Sequence, residues 1–62
     1  MSSEKSLIEL RDAFRNTADI IDELVALEER EKNGEDVEKE CEAVMGRYLI
    51  SFVKIQKIAN RL

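Results

Sequence analysis

Apolar side chains recur at alternating steps of three and four residues in two long segments, with Asn33-Gly34 as the turn signal between them. The first segment spans residues 7–32 and the second spans residues 37–62. This spacing is that of a helix with one apolar face. A connection this short joins neighbouring helices that run antiparallel. The sequence therefore predicts an all-α fold in which residues 1–62 form a single helical-hairpin domain.

The residues at the ends of both segments agree with helix termini. Ser6 and Glu9 fit the S-x-x-E capping box, which predicts the start of the first helix, with Ser2 or Ser3 as the alternative cap one turn earlier. Gly34 tolerates the left-handed conformation that ends a helix, and Asp36 offers a carboxylate to the first amides of the next helix. Gly46 is the local misfit, and we expect it to permit a close helix approach or to mark a bend.

The apolar residues cover about half of each helix, which is more than one neighbouring helix buries in a coiled-coil seam. A chain of 62 residues with one cysteine and no histidine has few other means of stabilising a small core. We therefore expect it to associate with itself, most simply as a homodimer that forms a four-helix bundle. The predicted oligomer core consists of Leu7, Leu10, Phe14, Ile21, Leu24, Val44, Tyr48, Phe52, Ile55 and Ile58.

Charge is distributed unevenly along the predicted hairpin, although the net charge is only −4. With Arg47 counted in the terminal half, that half holds seven basic and three acidic residues, a net charge of +4. The loop half holds three basic and eleven acidic residues, a net charge of −8. Opposite charge at the two ends favours a dimer in which the hairpins lie head to tail about a two-fold axis.

The residue types that carry most enzyme chemistry are scarce in this chain. Histidine, the commonest general base and transition-metal ligand, is absent. Cys41 lies on the apolar stripe, where a thiol behaves as a small hydrophobic group. Most acidic residues fall on the outward arcs of the helices, whereas bundle metal sites use carboxylates that face inward. We predict no catalytic residue, no metal site and no cofactor, and therefore no enzyme.

One basic stripe on the second helix is the candidate binding surface, formed by Arg47, Ile50, Lys54, Lys57 and Arg61. A solvated outer face is one interpretation of the stripe, and a docking surface for phosphates or for an acidic partner is the other. The predicted function is a noncatalytic protein–protein interaction module, a small homo-oligomeric regulatory or accessory protein that also binds another protein. Binding to a nucleic-acid backbone through the stripe is the less favoured alternative.

The sequence also indicates in which cellular compartment we expect the protein. The longest uncharged apolar stretch, residues 48–53, is far shorter than the roughly 20 residues that cross a bilayer. The first residues contain no apolar signal-peptide core, and a lone cysteine gives no indication of an oxidising compartment. We expect a cytoplasmic protein that does not associate with a membrane.

Overall fold

The computed structural model describes residues 3–62, with the side chain of Ser3 left out, and contains two α-helices. Helix α1 spans Ser3–Lys32 and helix α2 spans Glu38–Ala59. They pack along each other as an antiparallel pair with overall extents of 52 × 14 × 9 Å. The predicted all-α hairpin is confirmed over this range, in which no strand is present. Met1 and Ser2, which the predicted domain included, lie outside the described residues.

Helix α1 begins four residues before the predicted start, so the capping-box interpretation of Ser6 and Glu9 is wrong. Ser6 lies inside the helix and is buried, whereas the alternative caps, Ser2 and the side chain of Ser3, lie outside the described part of the chain. Glu4 lies in the first turn, where a carboxylate interacts favourably with the positive end of the helix dipole. Residues 3–6 contain neither Gly nor Pro, the two residues that disfavour a helix most, and the helix continues through them.

The turn after α1 has the geometry predicted for Gly34. This residue adopts a φ of +90°, which is favourable for glycine because it has no Cβ atom. The Glu35 N–H donates to the Arg30 carbonyl at 3.1 Å, and the Gly34 N–H donates to the Glu31 carbonyl at 2.9 Å. These two bonds form a Schellman motif, which satisfies the last carbonyls of α1 and reverses the chain.

Helix α2 is shorter than predicted at both ends. The Asp36 carboxylate accepts a hydrogen bond from the Glu38 N–H at 3.2 Å, as the sequence predicted for this acid. At the other end α2 stops at Ala59, three residues before the predicted terminus. The Leu62 N–H donates to the Ala59 carbonyl at 3.1 Å, a bond between residues three apart. The last residues therefore form a tighter turn and not a continued α-helix.

The seam between the helices contains two apolar clusters. Near the loop the buried residues are Ile20, Leu27, Val37 and Val44, with Leu24, Cys41 and Tyr48 packed against them. Near the chain termini they are Ala13, Ile55 and Ile58, with Leu10 packed against them. No described side chain is completely buried, which is the expected consequence of packing only two helices together.

A polar layer separates these clusters. The Thr17 hydroxyl lies 3.0 Å from the Ser51 hydroxyl oxygen and 2.9 Å from the Ala13 carbonyl oxygen. The Ser51 hydroxyl donates to the Tyr48 carbonyl at 2.8 Å. Both side chains are buried, and their hydrogen bonds offset the cost of removing them from water. Because the bond joins one residue of each helix, the layer favours one register of α1 against α2.

The seam of α1 lies one residue before the stripe from which the oligomer core was predicted. Ser6, Ala13 and Ile20 are buried, whereas the neighbouring large residues are exposed, namely Leu7, Phe14 and Ile21. In α2, Val44, Ile55 and Ile58 are buried within the hairpin, and Phe52 is exposed. Two of the buried residues, Ser6 and Ala13, have small side chains, which allow close helix packing and leave their large neighbours Leu7 and Phe14 beside the seam, whereas Ile20 shows that a large side chain faces the seam as well. Burial of the displaced residues by a second chain stays a prediction.

Gly46 lies on an exposed part of α2, and the helix continues through it. A Cβ atom built there meets no other atom within 4 Å. Within the hairpin the residue therefore does not serve the close helix approach that was one of its two predicted roles.

Candidate interaction surfaces

Three ion pairs join α1 to α2 along one edge of the hairpin. The shortest N–O distances are 2.6–2.7 Å, in the pairs Arg61–Glu9, Arg47–Glu23 and Arg30–Glu40. On each helix these residues are seven or fourteen positions apart, so they lie in one line beside the seam. We call this line the charged edge. Its charges compensate one another within a single chain.

Two of these pairs are bidentate. The Arg47 guanidinium donates to the Glu23 carboxylate at 2.6 and 3.0 Å, and Arg30 donates to Glu40 at 2.7 and 3.1 Å. The hydrogen bonds from Arg47 lower the pKa of Glu23 below its ordinary value of 4.5, and those from Arg30 lower the pKa of Glu40. Both acids therefore favour the ionised form in the folded hairpin, although solvent screens such exposed pairs.

Large apolar side chains line the opposite edge. Leu7, Phe14 and Ile21 of α1 are 56%, 55% and 43% exposed, and Met45 and Phe52 of α2 are 42% and 46% exposed. In each helix these positions lie about 140–160° from the nearest ion-paired positions, on the other side of the seam. We call these five residues the apolar edge.

Further residues widen the apolar edge. Val25 is 62% exposed and Leu49 is 58% exposed, each on the turn beside an edge residue. The rings of Tyr48 and Phe52 are stacked with centroids 6.4 Å apart, which links the edge to the seam. A continuous apolar strip of this kind is uncommon on a monomeric soluble protein and typically marks an interaction site.

The charge difference between the two ends of the hairpin is smaller than predicted, because Arg47 lies in the loop half and not in the terminal half. It pairs with Glu23, which the prediction counted in the loop half. Dividing the hairpin at Asp19 and Ser51 leaves six basic and three acidic residues in the terminal half, a net charge of +3. The loop half then holds four basic and eleven acidic residues, a net charge of −7. The contrast in sign remains.

The structure divides the predicted basic stripe into two kinds of residue. Arg47 and Arg61 belong to the charged edge, where acids of α1 neutralise them. Among residues 3–62, no carboxylate oxygen lies within 4.0 Å of the ammonium group of Lys54 or Lys57. Ile50 lies between these residues and is 71% exposed. The stripe therefore presents two available cations and not four.

Cys41 packs against the apolar cluster nearest the loop and is partly buried. Acidic residues line the open groove beside it, among them Glu31, Glu38 and Glu42. Within the described part of the chain, no three residues of the types that ligate metals converge on a point that could hold an ion. Over the same range, neither helix has a stretch long and apolar enough to cross a bilayer.

Comparison with known proteins gave no significant match to a family model, to a curated protein or to a solved structure.

Proposed function

We propose that the protein is a noncatalytic interaction module that acts as a homodimer, in which two hairpins pack through their apolar edges into a four-helix bundle. One observation carries this proposal. Oppositely charged side chains beside the seam pair with one another along the charged edge, whereas five large apolar side chains on the other edge remain about half exposed within the chain. A second copy of the hairpin supplies an apolar surface of the same length.

The small core of the hairpin supports the same proposal. The buried apolar residues in the described range include three with small or medium side chains, Ala13, Val37 and Val44. Packing of the apolar edges would transfer the two Phe side chains, Phe14 and Phe52, from half-exposed positions into a bundle core. Burial of apolar surface contributes about 25 cal/mol per Å², so the dimer gains stability that the single hairpin lacks.

Charge favours a head-to-tail arrangement of the two copies. A parallel dimer would bring together two loop ends that each carry a net charge of −7, whereas an antiparallel dimer places each loop end beside a terminal end of +3. Glu28 continues the line of the apolar edge toward the loop, and Arg11 lies beside Phe14 toward the termini. The proposed two-fold axis therefore passes near the middle of the apolar edge, perpendicular to the helices.

Light scattering coupled to size exclusion tests the association. The chain has a mass of 7.2 kDa, and we expect twice this mass at micromolar concentration. Phe52→Glu should return the mass to that of a single chain, because it places a charge in the middle of the proposed interface. Ile50→Glu is the matched control and should leave the dimer intact. A folded wild-type chain of single mass would overturn the proposal.

The orientation has a separate test, which uses a spin label at the loop. In a Cys41→Ala background, Asn33→Cys places one label on each loop, and pulsed electron paramagnetic resonance reads the distance between them. An antiparallel dimer separates the loops by about the length of the hairpin, 52 Å. A much shorter distance would contradict the orientation while leaving the dimer in place, and the absence of a defined distance would contradict the dimer itself.

The proposal places the protein in the cytoplasm, since one cysteine per chain provides no internal disulfide.

We favour a protein partner over a nucleic acid because Arg47 and Arg61, half of the predicted cationic stripe, are engaged by Glu23 and Glu9. These acids compete with a phosphate group for both arginines and reduce the positive charge that the stripe offers to a nucleic-acid backbone.

A further inference from the structure

The outer side of α2 carries exposed residues that lie outside the seam and, apart from Leu49, away from the apolar edge. Five residues of this helix line one shallow groove, and we call them the outer patch: Leu49, Ile50, Val53, Lys54 and Lys57. Ile50 and Phe52 are two residues apart and therefore lie on nearly opposite sides of the helix, about 160° from each other. Ile50, Val53, Lys54 and Lys57 therefore remain exposed on a single hairpin and on the proposed dimer alike, whereas Leu49 borders the apolar edge.

The outer patch has no acidic residue beside it on its own helix. Residues 43–62 contain four basic residues and no acidic one. Arg47 and Arg61 are paired with acids of α1, whereas Lys54 and Lys57 have no carboxylate within 4.0 Å among residues 3–62. These two ammonium groups are therefore available to an oppositely charged group of another molecule.

The position of Lys54 explains why it lacks a partner. It lies in line with Arg47 and Arg61 on α2, and the residue across the seam from it is Asn16, with which it lines two grooves. An amide in place of a carboxylate thus interrupts the charged edge at this step. Asp12 and Asp19 line these grooves as well, but neither approaches Lys54 closely enough to form an ion pair.

We propose that the outer patch binds an amphipathic, acidic helix of another protein, with apolar residues of that helix on Ile50 and Val53 and its acids facing Lys54 and Lys57. Residues 49–57 cover about two helical turns, or about 12 Å, which suits contacts at i, i+3, i+4 and i+7 of a partner helix. A phosphate backbone would engage the lysines and leave the aliphatic side chains wet, so this composition favours a peptide.

A displayed library of short helical peptides tests the proposal with the full-length protein as bait. The peptides carry a fixed leucine stripe and random charged residues beside it. Enriched peptides should be acidic next to the stripe, and Ile50→Ser or the pair Lys54→Gln and Lys57→Gln should weaken their binding by about tenfold or more. The matched control, Lys5→Gln with Arg15→Gln, changes net charge equally on α1 and should leave binding unchanged.

Charge reversal gives the decisive comparison. The pair Lys54→Glu and Lys57→Glu should lose the acidic peptides and bind versions in which lysine replaces each acid. A library without enrichment or without an acidic bias would overturn the proposal, and so would equal loss of binding in the α1 control. Binding of duplex DNA or anionic vesicles that depends on Lys54 and Lys57 would also overturn it in favour of a phosphate ligand.

Discussion

The two edges of the hairpin have the same seven-residue period and opposite chemistry. On the charged edge, oppositely charged side chains from α1 and α2 meet across the seam within one chain. On the apolar edge, side chains of similar size lie at the equivalent positions and remain about half exposed. The difference indicates that one edge fixes how the helices of a chain pair, whereas the other is available for association between chains.

The largest expected effect is on the apolar edge. If a second chain buries Phe14 and Phe52, replacing either with Ala should lower the free energy of unfolding by roughly 3–5 kcal/mol. Urea denaturation at fixed protein concentration measures this change. Val53→Ala is the control, because Val53 is 47% exposed and Phe52 is 46% exposed, yet Val53 lies on the outer patch. Similar small losses at both sites would show that the apolar edge has no partner.

The polar layer gives the next effect. Replacing Thr17 with Val and Ser51 with Ala together removes both hydroxyl groups from a buried site, so no unpaired polar group remains. We expect the free energy of unfolding to rise by about 1 kcal/mol in thermal or urea unfolding. We interpret the polar layer as favouring one register of the helices without adding stability. A double variant that is less stable than wild type would contradict this interpretation.

Gly46→Ala should stabilise the protein by about 0.5–1 kcal/mol, because alanine restricts the unfolded chain and favours the helix. The new methyl group meets no atom of the hairpin, so steric strain does not offset this gain. Circular dichroism during thermal unfolding measures the shift. An unchanged or lower midpoint would mean that something outside the single hairpin approaches Gly46 closely.

The smallest effect belongs to the charged edge. The pKa values of Glu23 and Glu40 are lower in the folded state than their ordinary value of 4.5, so the folded state holds these protons less tightly than the unfolded state. Their stabilisation is therefore present above about pH 4.5 and is lost as the pH falls through the folded pKa values. In urea unfolding, the free energy of unfolding of the double variant Glu23→Gln with Glu40→Gln should depend less on pH below 5 than that of wild type. If the free energy of unfolding depends equally steeply on pH in both proteins, other carboxylates cause the loss of stability in acid.

The sequence was sufficient to predict the fold but not the position of the seam. The apolar spacing and Asn33-Gly34 predicted two antiparallel helices, and the structure confirms them. The apolar stripe is wider than the seam, however, so its period alone does not reveal that Ala13 faces α2 while Phe14 lies beside it. The face that each helix turns toward the other depends on how the side chains of both helices pack together.

The charged edge was also missed, although the sequence contains its signal. Glu9 and Glu23 are fourteen residues apart on one helix, and Arg47 and Arg61 are fourteen apart on the other. In an antiparallel pair such positions meet, which would have predicted that both arginines are engaged. The prediction of a basic stripe considered α2 alone and did not include the acids of α1 that pair with two of its arginines.

The central claim is that a second copy of the chain binds the apolar edge. Isotope-filtered nuclear Overhauser spectroscopy on a mixture of labelled and unlabelled protein tests it most directly, because it detects only contacts between chains. We predict contacts from the rings of Phe14 and Phe52 to methyl groups of the other copy, and none from the methylene groups of Arg47. Contacts between chains confined to the charged edge, or none while the protein is folded, would contradict the account.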